Sequence, residues 1–233
     1  MNRKWLVLIS VGTGTFMTAL DSSVVNAVLP LINQTFGGNI SLIQWVVTIY
    51  LLTVSGLLLS FGRIGDIKGH RQIYLMGFVI FIVGSALCGI APSIELLIAS
   101  RAFQALGAAM LASNSPAILT KSFPANQRGQ ALGLQATMTY LGLTLAPSLG
   151  GWLAQSISWR TVFYINLPIG LLAFVLSWRF VPSDQLTKRQ ERFDIFGALT
   201  FLLGLVALLL SLNQGHALGW TSSWIIGLFM IAI

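Results

Sequence analysis

The chain of 233 residues carries six acidic side chains, and of these only Asp21 falls well inside a long apolar run. Counting ~1.5 Å per residue of helix from Trp5 puts Asp21 about 24 Å along that run, in the far half of a ~30 Å hydrocarbon core. An ionised carboxylate there costs about 2.5–3.5 kcal/mol on insertion scales, so Asp21 must face a cavity, find a partner or take up a proton. Arg101 is the matching cation. It lies seven residues past Ile94, where another apolar run opens. If that run travels the opposite way, Arg101 sits roughly 10 Å below the far surface, close to the depth of Asp21. The two charges could simply neutralise each other and hold two helices together. The chemical alternative is a coupling site, where a carboxylate in a partly dry cavity loads or unloads a proton as a nearby cation moves. Asp21 is the leading candidate for that role.

Positioning such a pair requires membrane helices. With 55% hydrophobic residues, 8% charged and a mean hydropathy of +0.83, the chain lies far from soluble domains, where about a quarter of residues are charged. Hydropathy gives seven spans, residues 5–31, 42–61, 73–91, 94–119, 130–154, 161–181 and 195–213, and an eighth opening near Ser222. All are expected to be helices, because a helix satisfies its own backbone in lipid and the alternation of barrel strands is absent. The fold class is therefore an all-α membrane protein. Arg3, Lys4, Arg63, Lys68, Arg71, Lys121, Arg128, Arg179, Lys188, Arg189 and Arg192 fall at the amino terminus and in every second loop, and Arg160 on the other side. That asymmetry predicts a multi-pass protein of the cell membrane with a cytoplasmic amino terminus. The first apolar run has no small-x-small cleavage site and continues to Leu31, so it is expected to remain as the first helix. Because the net charge of +7 is dispersed over short loops, no nucleic-acid partner is expected.

Between the second and third spans, Gly62, Arg63, Ile64, Gly65, Asp66, Ile67, Lys68, Gly69, His70 and Arg71 form a short basic connection. Glycines let the chain reverse quickly, and Asp66 is expected to accept from helix-end amides while pairing with Arg63 or Arg71, which makes the loop a conformational latch. On the fifth span, Gly142, Ala146 and Gly150 recur at intervals of four beside Pro147 and Gly151. Small residues at that spacing make a smooth seam and the proline a hinge, serving either ordinary packing or a contact that slides between conformations. Ser93 and Glu95 read as the cap and first turn of the fourth helix. The seven Trp residues lie near span ends, as interfacial anchors do. The lone Cys88 excludes a disulfide within the chain and is expected to fill space. His70 and His216 lie in loops on opposite sides, and neither a metal-ligand set, a nucleophile and base, nor a phosphate-cradling loop is present, so no enzyme, metal or cofactor is expected.

Taken in order, these segments resemble the major facilitator superfamily, and within it the drug:proton antiporters with fourteen spans. Gly62, Asp66, Gly69 and Arg71 match the loop pattern G-x-L-a-D-r-x-G-r-k. Residues 20–30, Leu-Asp-Ser-Ser-Val-Val-Asn-Ala-Val-Leu-Pro, resemble the first-helix motif L-D-x-T-V-V-N-V-A-L-P. Arg101, Gln104, Gly107 and Ala109 resemble the fourth-helix pattern. Gly142, Ala146, Pro147, Gly150 and Gly151 resemble the antiporter motif of the fifth helix, and Trp159, Arg160, Phe163, Asn166, Pro168 and Gly170 the entry to the sixth. The resemblance implies six-helix bundles joined by two extra helices, and export of small lipophilic, often cationic compounds in exchange for protons, with the proton gradient as energy source. It also adds Asn26 and Gln104 to Asp21 and Arg101 as proton-coupling or substrate residues. By the same analogy the fifth-helix seam would pack partly against a second bundle.

On this reading residues 1–181 form the amino-terminal bundle, 182–194 a cytoplasmic loop, and 195–233 a seventh span and a shortened eighth. From Ser222 to the end the chain reaches only ~18 Å as helix. The chain is therefore expected to be the amino-terminal portion of a larger exporter, whose second half completes the cavity. The alternative is a truncated, non-transporting remnant or a membrane partner of a full-length transporter.

Overall fold

The computed structural model describes residues 3–37, 40–184 and 194–232. Among these the chain forms α1 (Arg3–Phe36), α2 (Ile40–Lys68), α3 (His70–Ile90), α4 (Ile94–Ser122), a 3₁₀ turn (Ala125–Gln127), α5 (Arg128–Ser156), α6 (Thr161–Tyr164), α7 (Asn166–Phe180), α8 (Ile195–Leu218) and α9 (Ser223–Ala232). No strand occurs among the described residues. α1, α2, α3, α4, α6 with α7, and α8 are long and apolar enough to cross a membrane. At 29 residues α5 is as long as α2 and α4, but its Gln, Thr and Gly content leaves it less apolar than the other spans. Ile90, Leu59, Leu171 and Leu203 are each 60% or more exposed, an apolar exterior suited to lipid.

The helices pack through stripes that the sequence lays down every three or four residues. On α1 the buried positions Val7, Ser10, Gly14, Met17, Asp21, Val24 and Val28 follow one line. α4 answers with Leu97, Arg101, Gln104, Ala108, Leu111, Ser115 and Ile118. Such spacing keeps one face of a helix turned to its neighbours over its whole length. Asp21 thus belongs to the same stripe as its apolar neighbours and cannot turn to lipid without turning them out too.

Close approach is set by glycine. A Cβ on Gly107 of α4 would lie 2.5 Å from the Phe81 backbone nitrogen and 2.6 Å from the Gly77 carbonyl oxygen of α3, and one on Gly84 would lie 2.6 Å from the Gln104 Cα. α3 and α4 therefore touch backbone to backbone, which brings Gln104 beside Ser85. One hydrophobic core, with Met17, Tyr74, Phe78 and Phe81, lies toward one end of these helices. A second, with Leu20, Val24, Leu97, Trp159 and Phe163, lies toward the other. The buried charges sit between the two.

Several expectations change. The connection 62–71 is not a ten-residue loop: α2 continues through Lys68 and α3 starts at His70, leaving Gly69 alone between them. Its φ of +100° is a region that favours glycine. The helices continue because Gly65 is needed for packing: a Cβ there would overlap Asn114 Oδ1. Trp159 is no lipid-facing anchor but is 6% exposed, with its indole nitrogen donating to Thr35 Oγ1 at 3.0 Å. His216 lies within α8. Lys188, Arg189, Glu191 and Arg192 of the expected connector lie outside the described residues. α9 spans ten residues where the shortened eighth span was expected.

Gly69→Ala is expected to cost about 1–3 kcal/mol through the positive φ, because the added carbon also lands 3.1 Å from Asp184 Oδ2. Thermal loss of monodisperse protein in detergent reads this out, and a variant as stable as the parent would show the turn to be unstrained.

Candidate functional site

Asp21 and Arg101 form an ion pair with both side chains fully buried, Arg101 Nη1 to Asp21 Oδ2 at 2.7 Å. The other carboxylate oxygen, Oδ1, accepts from Gln104 Nε2 at 3.0 Å and from Asn166 Nδ2 at 2.6 Å. Gln104 is fixed in turn, its Nε2 donating to Ser85 Oγ at 2.7 Å and its Oε1 accepting from Arg101 Nη1 at 2.6 Å. Arg101 Nε donates to the Val46 carbonyl at 3.3 Å, and its guanidinium lies 4.1 Å above the Tyr50 ring. Helices α1, α2, α3, α4 and α7 thus converge on one buried polar cluster. Burying two charges is costly unless geometry and hydrogen bonds compensate, and here the carboxylate meets donors at every short contact.

Beside it a cavity of about 370 Å³ is lined by α1, α2, α3, α4 and α5. Thr15, Thr18, Ser22, Ser115, Gln135 and Thr139 supply hydroxyl and amide groups, with Tyr50, Tyr74 and leucines between them. No Asp, Glu, Lys or Arg lines it. Gln135 Nε2 spans the floor, donating to Ser115 Oγ at 2.8 Å and Thr15 Oγ1 at 3.3 Å. Tyr50 belongs to both places: it lines the cavity and lies beneath Arg101. Its ring thus connects the space where a molecule fits to the buried ion pair.

Of the residues singled out in the sequence, Asp21, Arg101 and Gln104 come together. Asn26 does not. It is exposed, because five residues along a helix turn a side chain by about 140° from Asp21. At the latch, the contacts of Asp66, His70 and Arg71 are these. Asp66 Oδ1 lies 3.3 Å from His70 Nε2. Arg71 reaches the end of α7, its Nη2 donating to the Trp178 carbonyl at 2.7 Å, while its backbone N–H donates to Asp184 Oδ2 at 2.9 Å. His70 itself is buried, with Nδ1 2.8 Å from Asn114 Oδ1. These contacts tie the start of α3 to α4 and to the exit of α7.

The fifth-helix seam packs inside this bundle. A Cβ on Gly142 would lie 2.7 Å from the Phe16 carbonyl oxygen, and one on Gly150 would lie 2.7 Å from Val24 Cγ2. Ala146 is fully buried. Gly142 and Gly150 are therefore packed on α1, because only residues without side-chain bulk let α5 reach that backbone. Pro147 is exposed, and a Cβ on Gly151 would meet nothing within 4 Å. α5 is continuous through Pro147.

Tyr50, Ser85 and Asn166 were not expected as site residues. Tyr50 and Ser85 are single polar groups in apolar runs. Asn166 stands in the sixth-helix pattern, which reads as a helix entry. Cys88, expected as filler, lies 3.8 Å from Gln104 Oε1, at the edge of the cluster.

Residues 11–233 match the Major Facilitator Superfamily. The chain is 40% identical to the riboflavin transporter RibZ of Clostridioides difficile over 92% of its length and 47% of the relative's. It is 38% identical to the multidrug resistance protein Stp of Mycobacterium tuberculosis, covering 95% of this chain and 42% of that protein. To the multidrug transporter protein MdtP of Bacillus subtilis it is 34% identical over 100% of the chain and 43% of the relative. The chain thus spans less than half the length of these relatives. Among solved structures, a bacterial homolog of the lysosomal transporter Spinster, in an inward-facing, unoccupied conformation, superposes with a TM-score of 0.69 at 19% identity, covering 100% of this chain and 60% of that one. A peptide transporter, POT, in complex with sulfate gives 0.70 at 16% identity over 94% and 48%. With residues 11–233 matched, relatives above 30% identity and the fold in agreement, this chain belongs to the Major Facilitator Superfamily of multi-pass membrane transporters.

Proposed function

We propose that the chain supplies the amino-terminal part of a proton-coupled exporter of small lipophilic compounds, working by alternating access in the cell membrane with its amino terminus in the cytoplasm. One observation carries this reading. Tyr50 lines the cavity and bears the Arg101 guanidinium, so cargo that presses the ring toward Arg101 holds the cation on Asp21 and favours the ionised carboxylate. Protonation of Asp21 and occupation of the cavity then compete. One proton moving down ~100 mV supplies about 2.3 kcal/mol, enough for roughly a forty-fold gradient at tight coupling.

The charge-free, hydroxyl-rich wall binds by hydrogen bonding and apolar contact. That chemistry suits planar, hydrogen-bonding molecules, in keeping with relatives named for riboflavin and for multidrug transport. Gln135→Leu removes the central amide and is expected to raise the half-saturating cargo concentration about 3–10-fold, the value of one hydrogen bond. An unchanged value at equal membrane abundance would place cargo elsewhere.

The direct test uses cells making the intact gene product. They are expected to accumulate less ethidium or riboflavin than cells without it, and the effect is expected to vanish in Asp21→Asn and when a protonophore collapses the gradient. Normal accumulation with confirmed membrane expression would favour a non-transporting remnant or partner protein.

A further inference from the structure

Asn166 plays no part in the scheme above, yet it makes the shortest hydrogen bond to the Asp21 carboxylate, Nδ2 to Oδ1 at 2.6 Å. Its other end is idle. Asn166 Oδ1 is buried without a hydrogen-bond partner, an arrangement that is costly in a dry interior and calls for an explanation. The surroundings of Asp21 supply one. Its short contacts, Arg101 Nη1, Gln104 Nε2 and Asn166 Nδ2, are all donors. They suit an ionised carboxylate and leave a carboxylic O–H with nothing to donate to.

Once a proton reaches Asp21, one of these donors has to turn away. Arg101 has no acceptor to offer. Gln104 is held at both ends: turning it would set its Nε2 against Arg101 Nη1 and give up the bond to Ser85 Oγ. Asn166 alone can turn without breaking another bond, because its oxygen has no partner to lose. A half-turn of the amide exchanges Nδ2 for Oδ1 and needs no movement of the backbone at the α6–α7 junction.

We propose that Asn166 is a positioning residue that reads the protonation state of Asp21, its amide nitrogen donating to the carboxylate and its amide oxygen accepting the carboxyl proton after the amide turns over. The inference rests on Asp21 being the coupling site. The proton comes from water on one side, forms the O–H bond on Asp21 Oδ1, and returns to water on the other, and no other bond is made or broken. In the protonated state Arg101 loses its anion and keeps Gln104 Oε1 and the Tyr50 ring, while the carboxyl is held to the start of α7. Arg101 and Gln104 from α4 and Asn166 from α7 face Asp21, and around them stand Tyr50 from α2, Cys88 and Ser85 from α3 and Phe163 from α6, while α5 approaches the neighbouring Leu20 through Gly142. Arg101 is the one among them that carries a fixed charge, so the amide senses Asp21 without competition from a second carboxylate.

The test compares Asn166→Leu, which can neither donate nor accept, with Asn166→Thr, whose hydroxyl can do both. The readout is ethidium- or riboflavin-induced proton release by the purified intact gene product as a function of pH. Losing a charge-assisted donor outweighs losing a neutral acceptor, so Asn166→Leu is expected to shift the midpoint alkaline by about 0.5–1 pH unit, and Asn166→Thr is expected to restore it. A purely structural asparagine would lower folded yield in both variants without moving the midpoint. If release is Asp21-dependent and both variants titrate with the parent, the role of Asn166 is overturned while the coupling reading stands. If the parent shows no Asp21-dependent release, the coupling reading itself fails. Should Asn166→Leu not fold, infrared difference spectra of the parent with labelled asparagine decide: an amide carbonyl band that appears on acidification and is lost in Asn166→Thr supports the switch, and its absence overturns it.

Discussion

Arg101→Leu is expected to remove most of the folded protein from the membrane. The substitution leaves Asp21 buried without its cation, and breaking one side of a buried pair typically costs about 3–5 kcal/mol, a large share of the stability of any domain. The double variant Asp21→Asn with Arg101→Leu is expected to recover much of that loss, because it removes the uncompensated charge as well as its partner. Membrane abundance and thermal stability in detergent for the parent, the two single variants and the double variant complete the cycle. If Arg101→Leu were as stable as the parent, or if Asp21→Asn failed to rescue it, the two charges would not be coupled in the way their 2.7 Å separation implies.

Gly107→Val is expected to be nearly as damaging, for a different reason. The Cβ would meet backbone atoms of Phe81 and Gly77 at 2.5 and 2.6 Å, and backbone cannot rotate out of the way as a side-chain tip can. α3 and α4 would be forced apart, lifting Gln104 from Ser85, at the upper end of the roughly 1–3 kcal/mol or more that overpacking costs. Gly133→Ala is the control, since a Cβ there meets nothing within 4 Å and alanine favours the helix. The account requires loss of folded protein from the first variant and none from the second. Equal behaviour would mean that the glycine contact of α3 with α4 does not set their spacing.

Much of this architecture is legible in the residues themselves. Hydropathy and the bilayer's thickness define the spans, and the depth of Asp21 and Arg101, counted along two antiparallel runs, is enough to bring them opposite each other. What counting cannot supply is rotation about the helix axis and the identity of the third and fourth partners. Asn26 follows Asp21 by five residues in the same motif, yet helical twist carries it out of the cluster, whereas Asn166, 145 residues away from Asp21, points into it. The connection 62–71 misleads for a related reason. Its glycines suggest a loop, but Gly65 serves the close approach of Asn114, and only Gly69 has the backbone of a turn. The fifth-helix seam shows the same limit: small residues announce a close contact without saying which helix makes it, and here it is α1.

The pair, its amide cradle and the adjoining cavity make a single claim, that cargo and proton compete through Asp21. Purified intact gene product in weakly buffered detergent, with a pH dye, measures this directly. Addition of riboflavin or ethidium, whichever cells making the protein export, is predicted to release about one proton per molecule bound, by the reciprocity of linked equilibria. Asp21→Asn is predicted to bind the same cargo and release none. Equal proton release from the two proteins, or cargo binding by the parent with no release at any pH, would contradict it.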